Sequence, residues 1–143
     1  MLNQNKDYIL NKLQKSKFRS SFKLSEKDLQ YINSKSFSEI ESHCLDFLNK
    51  RIRIKPKNDG KQTPYKNHPV FIAQHATAIC CRKCIEKWHK IPKSKELDQT
   101  EINYLKNIII EWLKREINNK DKNIKNHSSN SKKTLSSLSN KEF

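Results

Sequence analysis

Apolar residues recur at intervals of three and four along most of the chain, which is the spacing of one face of an α-helix. The helix starts are marked by polar residues followed three positions later by an acid, a capping-box pattern: Ser25 with Asp28, Ser36 with Glu39, and Asp98 with Glu101. The second of these helices is expected to run to about Lys50, and its apolar stripe is Phe37, Ile40, Cys44, Phe47 and Leu48. The clearest apolar row follows Asp98.

Between these helices the pattern changes. Residues 51–54 alternate between polar and apolar, which is compatible with a short strand, and residues 55–68 form a polar loop with the only glycine, Gly60. Pro69 suits a first helical turn, and the apolar residues from Val70 to Ile79 predict a buried helix. The predicted fold is mainly α: a small single helical domain with a Cys/His metal-binding segment and at most a minor β-hairpin.

Both ends of the chain differ from its centre. Residues 1–17 are predicted to be an N-terminal extension, at most a frayed helix that carries Tyr8, Ile9 and Leu13 at helical spacing. Residues 118–143 are rich in Asn, Lys and Ser and offer too few aliphatic side chains to offset the entropy of ordering, roughly 1 to 2 kcal/mol per residue. We therefore expect a folded domain over residues 18–117 and a disordered basic tail over residues 118–143.

The charge balance has two interpretations, a generic basic surface or an acidic partner. The chain has 30 Lys and Arg against 15 Asp and Glu, a formal net charge of +15, which is typical of proteins that contact nucleic acid. Lys outnumbers Arg 25 to 5, and because Lys codons are AT-rich, base composition explains part of the excess. Since Lys acts as a point charge without base-edge preference, any nucleic-acid binding should consist of non-specific phosphate contacts.

The apolar runs also bear on location. They are far shorter than the roughly 20 residues that a membrane span needs, and the first 17 residues contain no apolar core of a secretory signal. We expect a cytoplasmic protein without a membrane partner. Its cysteines are then expected to be reduced, so that metal binding or catalysis is favoured over disulfides.

Chemistry concentrates between His68 and His89, where three of the four cysteines and three of the five histidines lie. Cys81 and Cys84 have the two-residue gap that lets both thiolates reach one tetrahedral ion. His89 follows at a spacing typical of a ligand on the next helix, and His75 precedes them as the natural fourth ligand. The pattern predicts a zinc site formed by His75, Cys81, Cys84 and His89.

Other arrangements of these residues stay open. If one helix runs straight through the cysteines, Cys80 and Cys84 share a face and Cys80 replaces Cys81 as a ligand. His68 and His43 are further alternates. In an interpretation without a metal site, the cysteines are small buried hydrophobic residues and the histidines are hydrogen-bonded within the core or at the surface.

The loop over residues 58–64 is a second candidate site. It contains Asp59 and Lys61, which with His68 are the catalytic candidates, because polar loop residues on a helical scaffold often carry function. The alternative interpretation is a purely structural turn in which Gly60 supplies a positive φ. The loop lacks the first glycine and the Gly-Lys-Ser/Thr order of a phosphate-binding Walker motif.

Two functions follow from these residues. In the first, zinc stabilises a non-catalytic module that binds nucleic acid or another acidic partner. In the second, an open metal position binds water and Asp59 acts as general base, which gives a metal-dependent hydrolase or nuclease. The number of protein ligands separates them, because four ligands close the site and three leave it open.

Several strings in the chain are also similar to a known family. They cover about residues 18–112 and include Phe22-Lys-Leu, Asn58-Asp-Gly-Lys-Gln-Thr-Pro, His68-Pro-Val-Phe-Ile-Ala-Gln-His-Ala-Thr, Cys80-Cys-Arg-x-Cys and Lys87-Trp-His. On these residues the chain resembles the family catalogued as domain of unknown function 4186. The resemblance implies no activity. Lys83 stands where the family pattern tends to have glycine, which makes a tight metal knuckle less favourable and favours the straight helix.

Overall fold

The structure, a computed structural model, describes residues 6–127, with side chains described for residues 6–120. The described residues divide into two compact units, residues 6–113 and residues 114–127. The helices are α1 (Lys6–Gln14), α2 (Lys17–Ser20), α3 (Glu26–Ser34), α4 (Phe37–Phe47), α5 (Pro69–Ala76), α6 (Arg82–His89) and α7 (Gln99–His127). A π-helical turn, Leu48–Ile52, follows α4, and residues 6–127 contain no strand. The predicted mainly α fold is confirmed.

The three predicted capping boxes form. Ser25 and Ser36 accept hydrogen bonds from the backbone amides of Asp28 and Glu39, whose carboxylates bond back to the serines at the starts of α3 and α4. Asp98 accepts from the amide of Glu101 at 2.8 Å, and Glu101 accepts from the amide of Asp98 at 2.9 Å. These pairs satisfy amides that the first helical turn leaves without partners.

The strand predicted for residues 51–54 does not form. The π-helical turn extends α4 through Ile52, and the amide of Arg53 donates to the carbonyl of Leu48 at 2.8 Å. Leu48 and Ile52 are fully buried, so the wider turn keeps both aliphatic side chains in the core. The alternation of polar and apolar residues therefore indicated a strand wrongly, because a helical turn also buries the aliphatic side chains.

The helix predicted through Ile79 ends earlier. All eight residues of α5 are buried, but the helix stops at Ala76, and Ala78 adopts a left-handed conformation with φ 60°. Gln74 closes this break with two hydrogen bonds to Ile79. Its side-chain nitrogen donates to the carbonyl of Ile79 at 3.0 Å, and its backbone carbonyl accepts from the amide of Ile79 at 2.8 Å. The break brings Cys80 and Cys81 in front of α6 instead of onto a continuous helix.

The structure describes helices on both sides of the predicted domain boundaries at residues 18 and 117. Helix α1 buries Ile9, Leu10 and Leu13, so it contributes to the core of the first unit. Helix α7 continues to His127, and the rest of the predicted tail, residues 128–143, lies outside the described residues. Among the described residues, every helix is too short or too polar to cross a membrane.

Candidate metal centre

Three cysteines meet at the start of α6. The sulfur atoms of Cys80, Cys81 and Cys84 all lie within 4.8 Å of one another, and we call this group the cysteine cluster. Cys81 is the N-cap residue of α6 with an extended backbone, and Cys84 lies in the first turn. Cys80 and Cys81 are buried and Cys84 is half-buried. A helix start thus presents two thiols while the preceding bend supplies the third.

Arg19, from the single turn of α2, covers the cluster with a buried guanidinium. It donates to the sulfur of Cys84 at 3.1 Å, to the sulfur of Cys80 at 3.6 Å and to the carbonyl of His75 at 2.7 Å. Only 8% of Arg19 is exposed. A buried guanidinium requires hydrogen-bond acceptors, and here two sulfur atoms and the carbonyl of His75 supply them.

The electrostatics of the cluster favour a thiolate at Cys84. Hydrogen bonds from the Cys80 and Cys81 thiols, together with Arg19, lower the pKa of Cys84 to about 2 against the opposing effect of burial. The pKa of Cys80 is raised, first by its hydrogen bonds with Cys81 and Cys84 and then by burial. Without a metal, the cluster therefore holds its negative charge on Cys84, beside Arg19.

The two histidines predicted as ligands lie outside the cysteine cluster and have other partners. The Nε2 atom of His75 bonds the carbonyls of Thr63 and Pro64 at 3.0 and 3.1 Å. Both ring nitrogens of His89 are engaged, Nε2 by the carbonyl of Thr77 at 2.8 Å and Nδ1 by the hydroxyl of Tyr104 at 3.1 Å. Burial lowers the pKa of His89 to about 4, so its ring is neutral.

The alternates His43 and His68 form a separate pair. Nδ1 of His43 lies 3.1 Å from Nε2 of His68, and Nδ1 of His68 accepts from the amide of Val70 at 3.1 Å, which caps α5. Burial, followed by the nearby His43, lowers the pKa of His68 to about 4. His68 is thus a neutral helix cap in this structure, and neither histidine belongs to the cysteine cluster.

Asp59, the candidate general base, caps the helix that carries the cysteines. One carboxylate oxygen accepts from the amide of Arg82 and the other from the amide of Lys83, both at 2.9 Å. The side chain of Gln62 donates to Asp59 at 2.8 Å, and Gly60 has the positive φ, 117°, that the turn requires. Lys61 is exposed. The loop over residues 58–64 therefore fixes the start of α6, while no described hydrogen bond or ion pair joins Asp59, Lys61 and His68.

We expect Asp59→Ala to lower the free energy of unfolding by about 1 kcal/mol at neutral pH, because a carboxylate cap is lost. Burial raises the pKa of Asp59, but the hydrogen bonds from Gln62, Arg82 and Lys83 outweigh it and lower the pKa overall. A lowered pKa in the folded state stabilises the protein above the unfolded value of about 3.9, and this contribution disappears as the pH falls through the folded value. Denaturant titrations at about pH 7 and about pH 3 should show the difference between variant and parent shrinking.

The matched control is Asp46→Ala, which removes an exposed carboxylate from α4. It should change stability by less than about 0.5 kcal/mol at either pH. An Asp59→Ala penalty that stays constant down to pH 3 would contradict the capping role.

Sequence reasoning missed two buried arginines, Arg19 and Arg82. Arg82 is fully buried and donates to four carbonyls, those of Ile52, Arg53, Pro92 and Lys95, at 2.8 to 3.4 Å. The chain has only five arginines beside 25 lysines, and this scarcity was the available signal that each arginine has a specific task.

The chain belongs to the family described as "Domain of unknown function (DUF4186)", which it matches over residues 7–114. The match includes α1, in agreement with the buried side chains of that helix. It also contains the cysteine cluster and Arg19. No solved structure gives a significant match to the chain.

Proposed function

We propose that this protein is a small zinc-binding domain in which Cys80, Cys81 and Cys84 are ligands. The observation that carries the proposal is the convergence of three sulfur atoms within 4.8 Å, because thiolates at such distances match the ligand set of zinc. Zinc suits this donor set better than magnesium or calcium, which prefer oxygen.

Charge balance supports the same conclusion. A divalent ion that displaces the protons of Cys80 and Cys81 would face three thiolates, which leaves one net negative charge. The guanidinium of Arg19, within hydrogen-bond distance of Cys80 and Cys84, supplies the matching positive charge. Burying an ion and its ligands costs least when the group is neutral as a whole.

Among the described residues, His75 is the candidate that we propose for the fourth coordination position. Nε2 of His75 is occupied by the carbonyls of Thr63 and Pro64, so Nδ1 is the nitrogen that remains for a metal. His89 has both nitrogens engaged. His75 therefore stays our predicted fourth ligand, and water is the alternative.

We favour a structural role for the zinc over hydrolysis. The general base that a hydrolase needs was expected to be Asp59, but both of its oxygens cap α6. The cluster instead joins the segment after α5 to the start of α6 and to α2, through Arg19. Such a link would stabilise a small core, because the binding of a structural zinc contributes directly to the free energy of folding.

The partner that we propose is anionic, nucleic acid first. The net charge of +15 supports it, as do the many exposed lysines among the described residues. The contacts are expected to be with phosphates, since lysine is a point charge without the planar fork with which arginine recognises base edges.

Metal analysis of the purified, reduced protein tests the site. We expect about one zinc per chain, since one thiolate cluster exists among the described residues. Replacement by cobalt should give a tetrahedral spectrum with thiolate charge-transfer bands, and X-ray absorption should show three sulfur neighbours and one nitrogen or oxygen. The His75→Ala variant identifies the fourth ligand, because loss of a nitrogen neighbour would assign it to His75. Protein that binds neither metal would refute the zinc site.

A further inference from the structure

An exposed aromatic surface lies beside the cysteine cluster. Phe18 and Tyr65 are 54% and 62% exposed, and Phe22 joins them: its ring centroid is 5.2 Å from that of Phe18 and 6.2 Å from that of Tyr65. We call these three residues the aromatic surface. Tyr65 stacks on His75 with centroids 4.0 Å apart, so one face of its ring is held while its remaining surface meets solvent.

A basic cavity adjoins this surface. Its volume is about 600 Å³, and its lining includes Lys23, Lys27 and Lys66, which we call the lysine pocket. Lys23 follows Phe22 directly in sequence, and Lys66 follows Tyr65, so ring and ammonium alternate along both segments. The acid that lines the cavity is Asp28, and its carboxylate is engaged by the amide and hydroxyl of Ser25. The lining thus includes three lysines and one carboxylate.

The arginines of the first unit are occupied elsewhere. Arg19 and Arg82 are buried, Arg53 pairs with Glu96 at 2.9 Å, and Arg51 lies over the rings of Phe47 and Phe71. The planar fork of an accessible arginine is well suited to reading guanine in a duplex groove. This surface therefore offers rings and point charges in place of groove contacts.

We propose that the protein binds single-stranded nucleic acid here, with bases stacked on the aromatic surface and phosphates held by the lysine pocket. Every base has a π-face, and stacking on exposed rings together with lysine–phosphate contacts is the way in which single strands are bound without sequence preference. A duplex keeps its bases stacked internally and cannot use the rings. The proposal deepens the anionic-partner clause of the proposed function and does not depend on the zinc.

The test uses the full chain and fluorescent oligonucleotides of about 15 nucleotides, single-stranded or as the matching duplex. Tyr65→Ala should weaken single-strand binding about tenfold but leave duplex binding unchanged. Tyr65→Phe keeps an aromatic ring and should bind single strands as tightly as the parent protein does. The aromatic control is Tyr8→Ala, which removes a ring that is 56% exposed on α1.

The lysine arm compares two doubly substituted variants of equal charge. Lys23→Gln with Lys66→Gln should weaken binding at least about tenfold and reduce the slope of log affinity against log salt by about two. Lys50→Gln with Lys87→Gln removes exposed lysines outside the pocket and should change affinity less than about threefold.

Zinc content is measured in every variant, which separates this proposal from the metal site. Zinc-loaded protein that binds no oligonucleotide at about 50 mM salt would overturn the nucleic-acid proposal and leave the zinc site standing. Duplex binding as tight as single-strand binding would also overturn it, as would equal losses in the control variants. Metal-free protein with the expected oligonucleotide results would support this surface and refute the zinc site.

Discussion

Cys84→Ser should remove most of the bound zinc and lower the melting temperature by on the order of 10 °C. The change deletes the thiolate that Arg19 contacts at 3.1 Å, so both a ligand and the charge partner of a buried guanidinium disappear. At a free metal concentration of about a thousand times Kd, metal binding adds about 4 kcal/mol to the free energy of unfolding. Losing this contribution shifts the melting temperature of a domain of this length by an amount of that order. Zinc content and thermal unfolding, measured on the same preparation, check both parts.

Cys44 provides the matched control, since it is the cysteine outside the cluster. It is buried in α4, and burial raises the pKa of its thiol to about 12, so it stays protonated. Cys44→Ala should keep one zinc per chain and cost only about 1 to 2 kcal/mol as a small cavity. The sulfur atoms of Cys81 and Cys84 are 3.3 Å apart in the structure. A parent protein that contains no metal and forms a disulfide between these two cysteines would refute the zinc site.

Features that depend on neighbouring residues were predictable from the sequence. The capping boxes at Ser25, Ser36 and Asp98 act over three residues, and all three form. The gap between Cys81 and Cys84 likewise indicated a thiol pair, and their sulfur atoms meet. Local hydrogen bonds and helical spacing are properties of a short segment, so the sequence of that segment determines them.

Features that depend on distant residues were not predictable in this way. The break after Ala76 is stabilised by the side chain of Gln74, and nothing in a run of apolar residues indicates a left-handed Ala78. The break decides the cluster, because it places Cys80 beside Cys81 and Cys84 without a continuous helix. Arg19 reaches Cys84 from 65 positions earlier in the chain, and such a contact has no local signal.

Asp59 shows how a chemically suggestive residue acquires a structural task. Its carboxylate type and its loop position suggested a general base, yet its two oxygens bond the amides of Arg82 and Lys83. An anion at a helix start is stabilised by these amides and by the helix dipole. Cys84 directly follows Lys83 in the same helical turn, so these contacts help to position it and the loop acts on the candidate metal centre through the helix.

Arg82→Met should cost at least about 3 kcal/mol of the free energy of unfolding. The guanidinium donates to the carbonyls of residues 52, 53, 92 and 95, and a methionine of similar length removes these donors, although the carbonyl of Arg53 keeps the amide of Leu97 at 3.0 Å. Each buried carbonyl without a partner costs about 1 to 3 kcal/mol, of which water recovers part. Arg82→Lys should recover little of the loss, because one ammonium cannot span four carbonyls as the planar guanidinium does. Denaturant titration measures all three proteins.

Arg53→Met separates the loss of these bonds from the loss of an arginine. Arg53 pairs with Glu96 at 2.9 Å through side chains that are 43% and 52% exposed, so its removal should cost less than about 1 kcal/mol. Because Arg82 stands between Cys81 and Cys84 and anchors the start of α6, Arg82→Met should also weaken zinc binding, whereas Arg53→Met should not. Equal stabilities of the two variants would mean that water or repacking satisfies the four carbonyls, and that the buried guanidinium does not hold the cysteine cluster in place.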